Sequence, residues 1–220
     1  MPDTAHLRRD YGSGRLDDHA VAASWREQFD DWFAAAAGLN QPQAAVLATV
    51  DAQSRPRART VLIKSWDDDG FVWATNYESR KGHDLAANPY AGLCFTWLDL
   101  ERQVHVEGPV TRVTAAESDA IFTARPHGAQ LAAWASPQSQ PMAGGRDELE
   151  ERLAAVQHRF GDGPVPRPPH WGGYRLSPER VEFWQGRPDR LHDRVRFLLA
   201  TEQPTSLGVP RRWLRERLGP

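Results

Sequence analysis

Apolar and polar positions alternate along this chain with two different periods, and the switches between them mark out its elements. From Ala20 to Leu39 the large residues Trp25, Phe29, Trp32 and Phe33 recur at three-to-four spacing. That predicts a helix with one buried face, stopped by Gly38 and Asn40. The period then falls to two. Ala44–Asp51 is short and apolar, and Arg57–Trp66 places Arg59, Val61 and Ile63 on one face with Thr60, Leu62 and Lys64 on the other. Asp68-Asp69-Gly70 is a hairpin signal leading into a third strand, Phe71–Thr75. Ser79–Ala87 reads as a short helix. Tyr90–Trp97 and Arg102–Thr114 are the fourth and fifth strands, and in the fifth Gln103, His105 and Glu107 share a face opposite Val104 and Val106.

A more helical stretch follows, from about Ala115 to Phe160. It opens on a capping box, Thr114 to Glu117, and ends on a helix near Arg146–Phe160 with Leu149, Leu153, Val156 and Phe160 in register. Ser136–Pro141 is a polar loop between the helical parts, and Gly161–Pro169 is a Pro/Gly connector. Strands resume at Gly173–Leu176, at Val181–Trp184 and at Arg211–Leu218. After Val181–Trp184 the chain turns at Gln185–Asp189 and resumes as Arg190–Phe197. Period two would put Arg190, His192, Arg194 and Arg196 on one face, which suits an anion, since the guanidinium fork matches carboxylate and phosphate oxygens. A solvated edge strand is the other reading. Many strands on short turns, helices between groups of them and no βαβ rhythm predict a mainly β fold: a β-barrel with peripheral helices. Residues 1–19 read as a flexible arm and 20–220 as a single domain.

Composition narrows the function. The 220 residues are 40% hydrophobic, enough for a core, and 27 basic against 29 acidic side chains leave a net charge of −2. A general nucleic-acid binder would be more basic, so the local positive charge fits a small anionic ligand better. The one cysteine, Cys94, allows no internal disulfide and reads as a buried core thiol. No apolar run reaches the ~18 residues of a bilayer span, and the start of the chain lacks an apolar leader, which predicts a soluble cytoplasmic protein with no membrane partner.

The chemistry is distributed. There is no HExxH or Cys/His cluster, Walker loop, dinucleotide fingerprint or nucleophile elbow, so no metal is expected. The helix from Ser79 opens on Arg80 and Lys81, against the usual preference for acidic residues there, and a bound phosphate would explain the inversion. Arg59, Lys64, Arg80, Lys81, Arg125, Arg190 and Arg194, interleaved with Gln103, Gln138, Ser139, Trp184 and His192, suit a flat, polar-edged, phosphorylated cofactor.

Blocks across the chain carry a resemblance. They are His6–Tyr11, Arg59–Lys64, Thr75-Asn76 with Ser79-Arg80-Lys81, Leu100–Val104, Arg125-Pro126, Ala133–Ser136 with Gln138-Ser139, Trp171–Tyr174, Glu182–Gly186 and Arg190–Arg194. In this order they resemble the pyridoxine (pyridoxamine) 5′-phosphate oxidase family, dimeric FMN enzymes with a split β-barrel fold. The resemblance implies oxidation of pyridoxine 5′-phosphate and pyridoxamine 5′-phosphate to pyridoxal 5′-phosphate, with O2 as acceptor and H2O2 as by-product. It implies a homodimer with FMN at the subunit interface. The implied cofactor set is Arg59, Val61, Leu62, Lys64, Thr75, Arg80, Lys81, Gln103, Gln138, Ser139, Trp184 and Arg194. The substrate phosphate falls to Lys64 and Arg125, and the ring to Arg190 and His192, the catalytic pair, with Arg8 and Tyr11 closing over it. The resemblance leaves the general base open.

The chain departs from the family pattern at Ile121, where a Tyr is usual, at Ala129, often a Ser, and at Ala74, often a Tyr. Loss of the first two hydroxyls would weaken phosphate binding by roughly ten- to a hundredfold. Two alternatives follow: a split-barrel oxidase of another ring system, of the phenazine-biosynthetic kind, or a non-catalytic protein binding flavin or pyridoxal phosphate.

Overall fold

The structure is a computed structural model that describes residues 10–200 and 212–220. Among the described residues nine strands and five α-helices are ordered α1 (Trp25–Ala36), β1 (Ala44–Val50), β2 (Pro56–Asp67), β3 (Gly70–Asn76), α2 (Arg80–Ala87), β4 (Tyr90–Trp97), β5 (Arg102–Arg112), α3 (Ala115–Thr123), α4 (His127–Ala135), α5 (Gly145–Phe160), β6 (Trp171–Leu176), β7 (Arg180–Gln185), β8 (Asp193–Leu199) and β9 (Trp213–Leu218). Hydrogen bonding orders the strands β4-β1-β2-β3-β6-β5-β7-β8-β9, with a further β4–β5 pairing. The fold is a split β-barrel with peripheral helices. Among the described residues no helix is long and apolar enough to cross a membrane.

The chain divides into two compact units, and β1, β4 and β5 contribute residues to both. The first holds the described residues up to Leu47, Gly92–Gly108 and those from Pro178 on. Its core is aromatic. Phe29 meets Phe95 at 5.0 Å between ring centroids, Trp32 meets Phe183 at 5.3 Å and Phe183 meets Phe197 at 5.9 Å. The helix that carries Phe29 and Trp32 is shorter than its pattern predicts, because Ser24 caps it by accepting from the Glu27 N–H and so begins it at Trp25. Residues 12–16 are held down: the Gly12 and Ser13 N–H groups donate to Glu101 Oε2 at 2.8 and 2.9 Å, and Leu16 is buried.

The second unit, Ala48–Ala91 with Pro109–Ser177, carries α2 to α5 and the β2–β3–β6 ladder. The alternation along β2 is as expected: Val61 and Ile63 are buried while Thr60, Leu62 and Lys64 face out. A register shift between Ile63 and Ser65 marks a bulge. Thr114 and Glu117 form the predicted capping box of α3. Leu153, Val156 and Phe160 of α5 pack on the cluster of Phe122, Leu131, Val165 and Trp171.

Two expectations need correcting. The strand after the turn begins at Asp193, not at Arg190. Pro188–Arg190 is a 3-10 turn with Asp189 and Arg190 at φ 55° and 63°, and the ladder opens with Gln185 opposite Asp193. Arg190 and His192 therefore do not share the strand face of Arg194 and Arg196. Cys94 is half-buried rather than sealed in the core, because alternation along β4 turns Leu93 and Phe95 inward and Cys94 outward.

Candidate functional site

In the second unit a cationic cradle forms at the start of α2. Ser79 caps this helix through its side chain, and its first turn holds no acidic residue. The cap leaves Lys81 pointing across the helix mouth, where Nζ donates to Thr75 Oγ1 at 2.9 Å, Gln138 Oε1 at 3.0 Å and Ser79 Oγ at 3.3 Å. Thr75 comes from β3 and Gln138 from the loop after α4, and Thr75 Oγ1 donates to Gln138 Oε1 at 2.9 Å. From β2, Arg59 donates to Thr49 Oγ1 at 2.6 Å and to the Asp84 carboxylate at 3.1 Å. Burial, and then the neighbouring Arg59 charge, bring the Lys81 ammonium down to about 8, against the pull of Asp84. A cavity of about 420 Å³ opens here, lined by Pro56, Arg57, Ala58, Arg59, Arg80, Lys81 and Ser139. Cations packed until one loosens its proton, at a helix whose first turn holds no acidic residue, are suited to an anion of high charge such as a phosphate.

The same unit holds two more expected residues. Lys64 is exposed on the outer face of β2. Arg125 lies between α3 and α4, its guanidinium carbon 4.8 Å from the Trp171 ring centroid, and Nη2 donates to the Ala129 carbonyl at 2.7 Å. Its Nε is buried with no hydrogen-bond partner among the described residues, and burial lowers its pKa. An unpaired buried donor on a cation is costly, and an acceptor on an anionic ligand would satisfy it.

In the first unit three expected residues stand in one row. Gln103 of β5 is opposite Trp184 of β7, and Trp184 is opposite Arg194 of β8. Arg194 Nε donates to Glu182 Oε1 at 2.7 Å, and this bond raises its pKa. The Gln103 amide oxygen stands 3.2 Å from His105 Nε2, which donates in this contact, and receives the Cys94 thiol at 3.7 Å. Burial pushes the Cys94 thiol up, but hydrogen bonds with His105 and Thr96 outweigh it and hold the pKa below the usual range. Trp184 also borders an aromatic cluster, with centroids 4.7 Å from His192 and 5.6 Å from Tyr11. His192 Nδ1 accepts the Arg187 N–H at 3.1 Å, which fixes the proton on Nε2 in the neutral ring. Arg190 projects from the exposed turn. Arg8 lies outside the described residues.

Sequence reasoning missed Thr49 and Asp84 in the cradle, and Glu182 and His105 beside the row. Only Glu182 and His105 carried a signal, through their strand faces.

The chain as a whole has known relatives. Residues 33–160 match the family model described as pyridoxamine 5′-phosphate oxidase, and residues 171–220 match the pyridoxine 5′-phosphate oxidase C-terminal dimerisation region. The chain belongs to the pyridoxamine 5′-phosphate oxidase family. A protein of Bordetella pertussis named pyridoxine/pyridoxamine 5′-phosphate oxidase is 58% identical over 87% of this chain and 90% of its own. One of that name from Paraburkholderia phytofirmans is 51% identical over the full length of both. Among solved structures, PhzG from Burkholderia lata, in complex with tetrahydrophenazine-1-carboxylic acid, superposes with a TM-score of 0.84 at 28% identity, covering 95% of this chain and all of its own. Family membership makes the chain a relative of oxidoreductases, and the family model over residues 171–220 is that of a dimerisation region.

Proposed function

We propose that this protein is an FMN-dependent oxidase that converts pyridoxine 5′-phosphate and pyridoxamine 5′-phosphate to pyridoxal 5′-phosphate, with O2 as acceptor and H2O2 as by-product. The observation that carries the reading is the cradle of Arg59, Arg80 and Lys81 at the mouth of α2, whose donor set matches a phosphate monoester. Arg59, Arg80, Lys81 and Ser139 would hold the flavin phosphate, with Thr75 and Gln138 fixing the lysine. The strand through Val61 and Leu62 offers backbone groups to the ring edge. Gln103, Trp184 and Arg194 complete the flavin site, and the protein acts as a homodimer with flavin at the subunit interface. Bound FMN would supply the two-electron acceptor that amino-acid side chains lack.

The rest of the chemistry belongs to the chain. Arg125, whose buried Nε has no partner among the described residues, and Lys64 would take the substrate phosphate. His192, in ring contact with Trp184 and Tyr11, and Arg190 of the preceding turn would hold the pyridine ring, together with Tyr11 and Arg8. His192 Nδ1 is engaged by the Arg187 N–H, so in the neutral ring Nε2 carries the proton and would donate it to an acceptor atom of the substrate.

A second reading, oxidation of a larger ring acid of the kind bound by PhzG, is favoured by one feature. Ile121 packs against the Phe122–Trp171 cluster where a hydroxyl would serve phosphate, and Arg125 already spends one N–H on the Ala129 carbonyl. Aerobic incubation with each 5′-phosphate, following pyridoxal 5′-phosphate and peroxide, separates the two. Product from either supports the first reading, and none from either, with flavin bound, moves the assignment to the second. In the same assay Arg190→Ala should slow turnover while flavin stays bound, and unchanged turnover would remove Arg190 from the catalytic pair.

A further inference from the structure

Asp84 is not among the groups assigned to a ligand above, yet the cradle closes on it. Its side chain, on α2, is only 4% exposed. Its Oδ2 accepts from Thr49 Oγ1 at 2.6 Å and from Arg59 Nη2 at 3.1 Å. Thr49 Oγ1 in turn accepts from Arg59 Nη1 at 2.6 Å. Three side chains from β1, β2 and α2 therefore close a ring, and Thr49 is itself buried.

We propose that Asp84 is a positioning residue for phosphate recognition: with Thr49 it fixes the Arg59 guanidinium in the orientation that presents it to the cavity shared with Arg80, Lys81 and Ser139. The inference rests on the reading of that cavity as the flavin-phosphate site.

A buried carboxylate is costly to desolvate, and a charge kept there is compensated only by close, well-aligned donors. Asp84 has two such donors, and one of them lines the cavity. An arginine fork already held in place loses less freedom when it meets a phosphate. Charge acts both ways. Asp84 opposes an incoming anion directly, but it also counters the effect of burial and of Arg59 on Lys81. Without it the Lys81 pKa falls further, so the two charge effects act in opposite directions on an incoming anion, and the lost orientation of Arg59 is the effect that bears on the phosphate alone.

The test is titration of flavin-free protein with FMN and, in parallel, with riboflavin, which lacks the phosphate, read by flavin fluorescence. Asp84→Asn should weaken FMN by about tenfold or more, the loss of a charge-assisted hydrogen bond, and leave riboflavin unmoved. Asp84→Glu should recover most of the loss. In an Arg59→Ala background Asp84→Asn should cost nothing further. Should Asp84→Asn not fold, Thr49→Val removes only the bridging hydroxyl and should weaken FMN several-fold, again without touching riboflavin. Equal losses for both flavins, a full effect surviving in the Arg59→Ala background, or tighter FMN binding would each overturn the proposal. If wild-type protein binds riboflavin as well as FMN, the phosphate reading itself fails, and that arm reports it independently of any Asp84 variant.

Discussion

Lys81 is the side chain whose charge matters most to the cradle. The groups facing it are the Arg59 and Asp84 charges and the neutral Thr75, Ser79 and Gln138. Its ammonium is brought to about 8 by burial and Arg59, well below the ordinary 10.5. A phosphate monoester is already dianionic above its second pKa of about 6, so the lysine alone titrates in the next window. FMN affinity should therefore fall as pH rises through about 8, and Lys81→Met should flatten that profile while weakening binding at neutral pH. For the flavin-free protein the sign is opposite. The unfolded chain holds the lysine proton up to about 10.5 and the folded chain only to about 8, so stability should rise with pH across that window, as denaturant titrations at several pH values would show. The sequence made the basic helix start legible, because capping and charge at a helix terminus are local. It could not show that Arg59, some twenty residues upstream, presses on the same lysine.

At the scale of elements, α2 is held against the chain that precedes it. A Cβ at Gly82 would stand 2.0 Å from the Tyr77 carbonyl oxygen, a backbone atom that cannot swing aside. Gly82→Ala should push the helix start away from β3, lowering stability by about 2 kcal/mol or more and loosening the cradle; thermal melting and FMN titration together check this. Thr114→Ala, which removes the capping box of α3, should cost about 1 kcal/mol and leave FMN affinity alone. The β7–β8 connection shows where pattern reading fails. Alternation along Arg190–Phe197 looked continuous, but Pro188 starts a 3-10 turn and the next two residues take left-handed φ values. A hairpin register is set by which residues pair across the strands, and here Gln185 pairs with Asp193. The basic face thus shrinks to Arg194 and Arg196, each paired with a glutamate, Glu182 and Glu216.

At the scale of the molecule, Arg217 joins distant stretches within the first unit. Its guanidinium donates to the Leu16 carbonyl and Asp18 at 2.7 Å and to Asp193 at 3.0 Å, so the last strand, the N-terminal segment and the start of β8 share one side chain. Arg217→Ala should lower stability by about 1–2 kcal/mol in denaturant titration, most of it from the backbone carbonyl, since a partly exposed ion pair contributes little. Residues 171–220, which match a dimerisation region, include this strand. Sedimentation should accordingly find two copies of the chain per particle.

Local physics decided much of this protein from sequence. Period two set the strands, three-to-four spacing and side-chain caps set the helices, and ordered blocks of residues set the family. These are properties of neighbours a few residues apart. Tertiary structure alone decided which groups act together. The Gln103–Trp184–Arg194 row depends on the pairing of Gln103 with Trp184, about eighty positions away, as well as on the hairpin pairing of Trp184 with Arg194. The Thr49–Arg59–Asp84 ring needs two strands and a helix to bring a hydroxyl, a guanidinium and a carboxylate within 3.1 Å. Hydrogen bonds and charges act through space, and only the folded chain determines those distances.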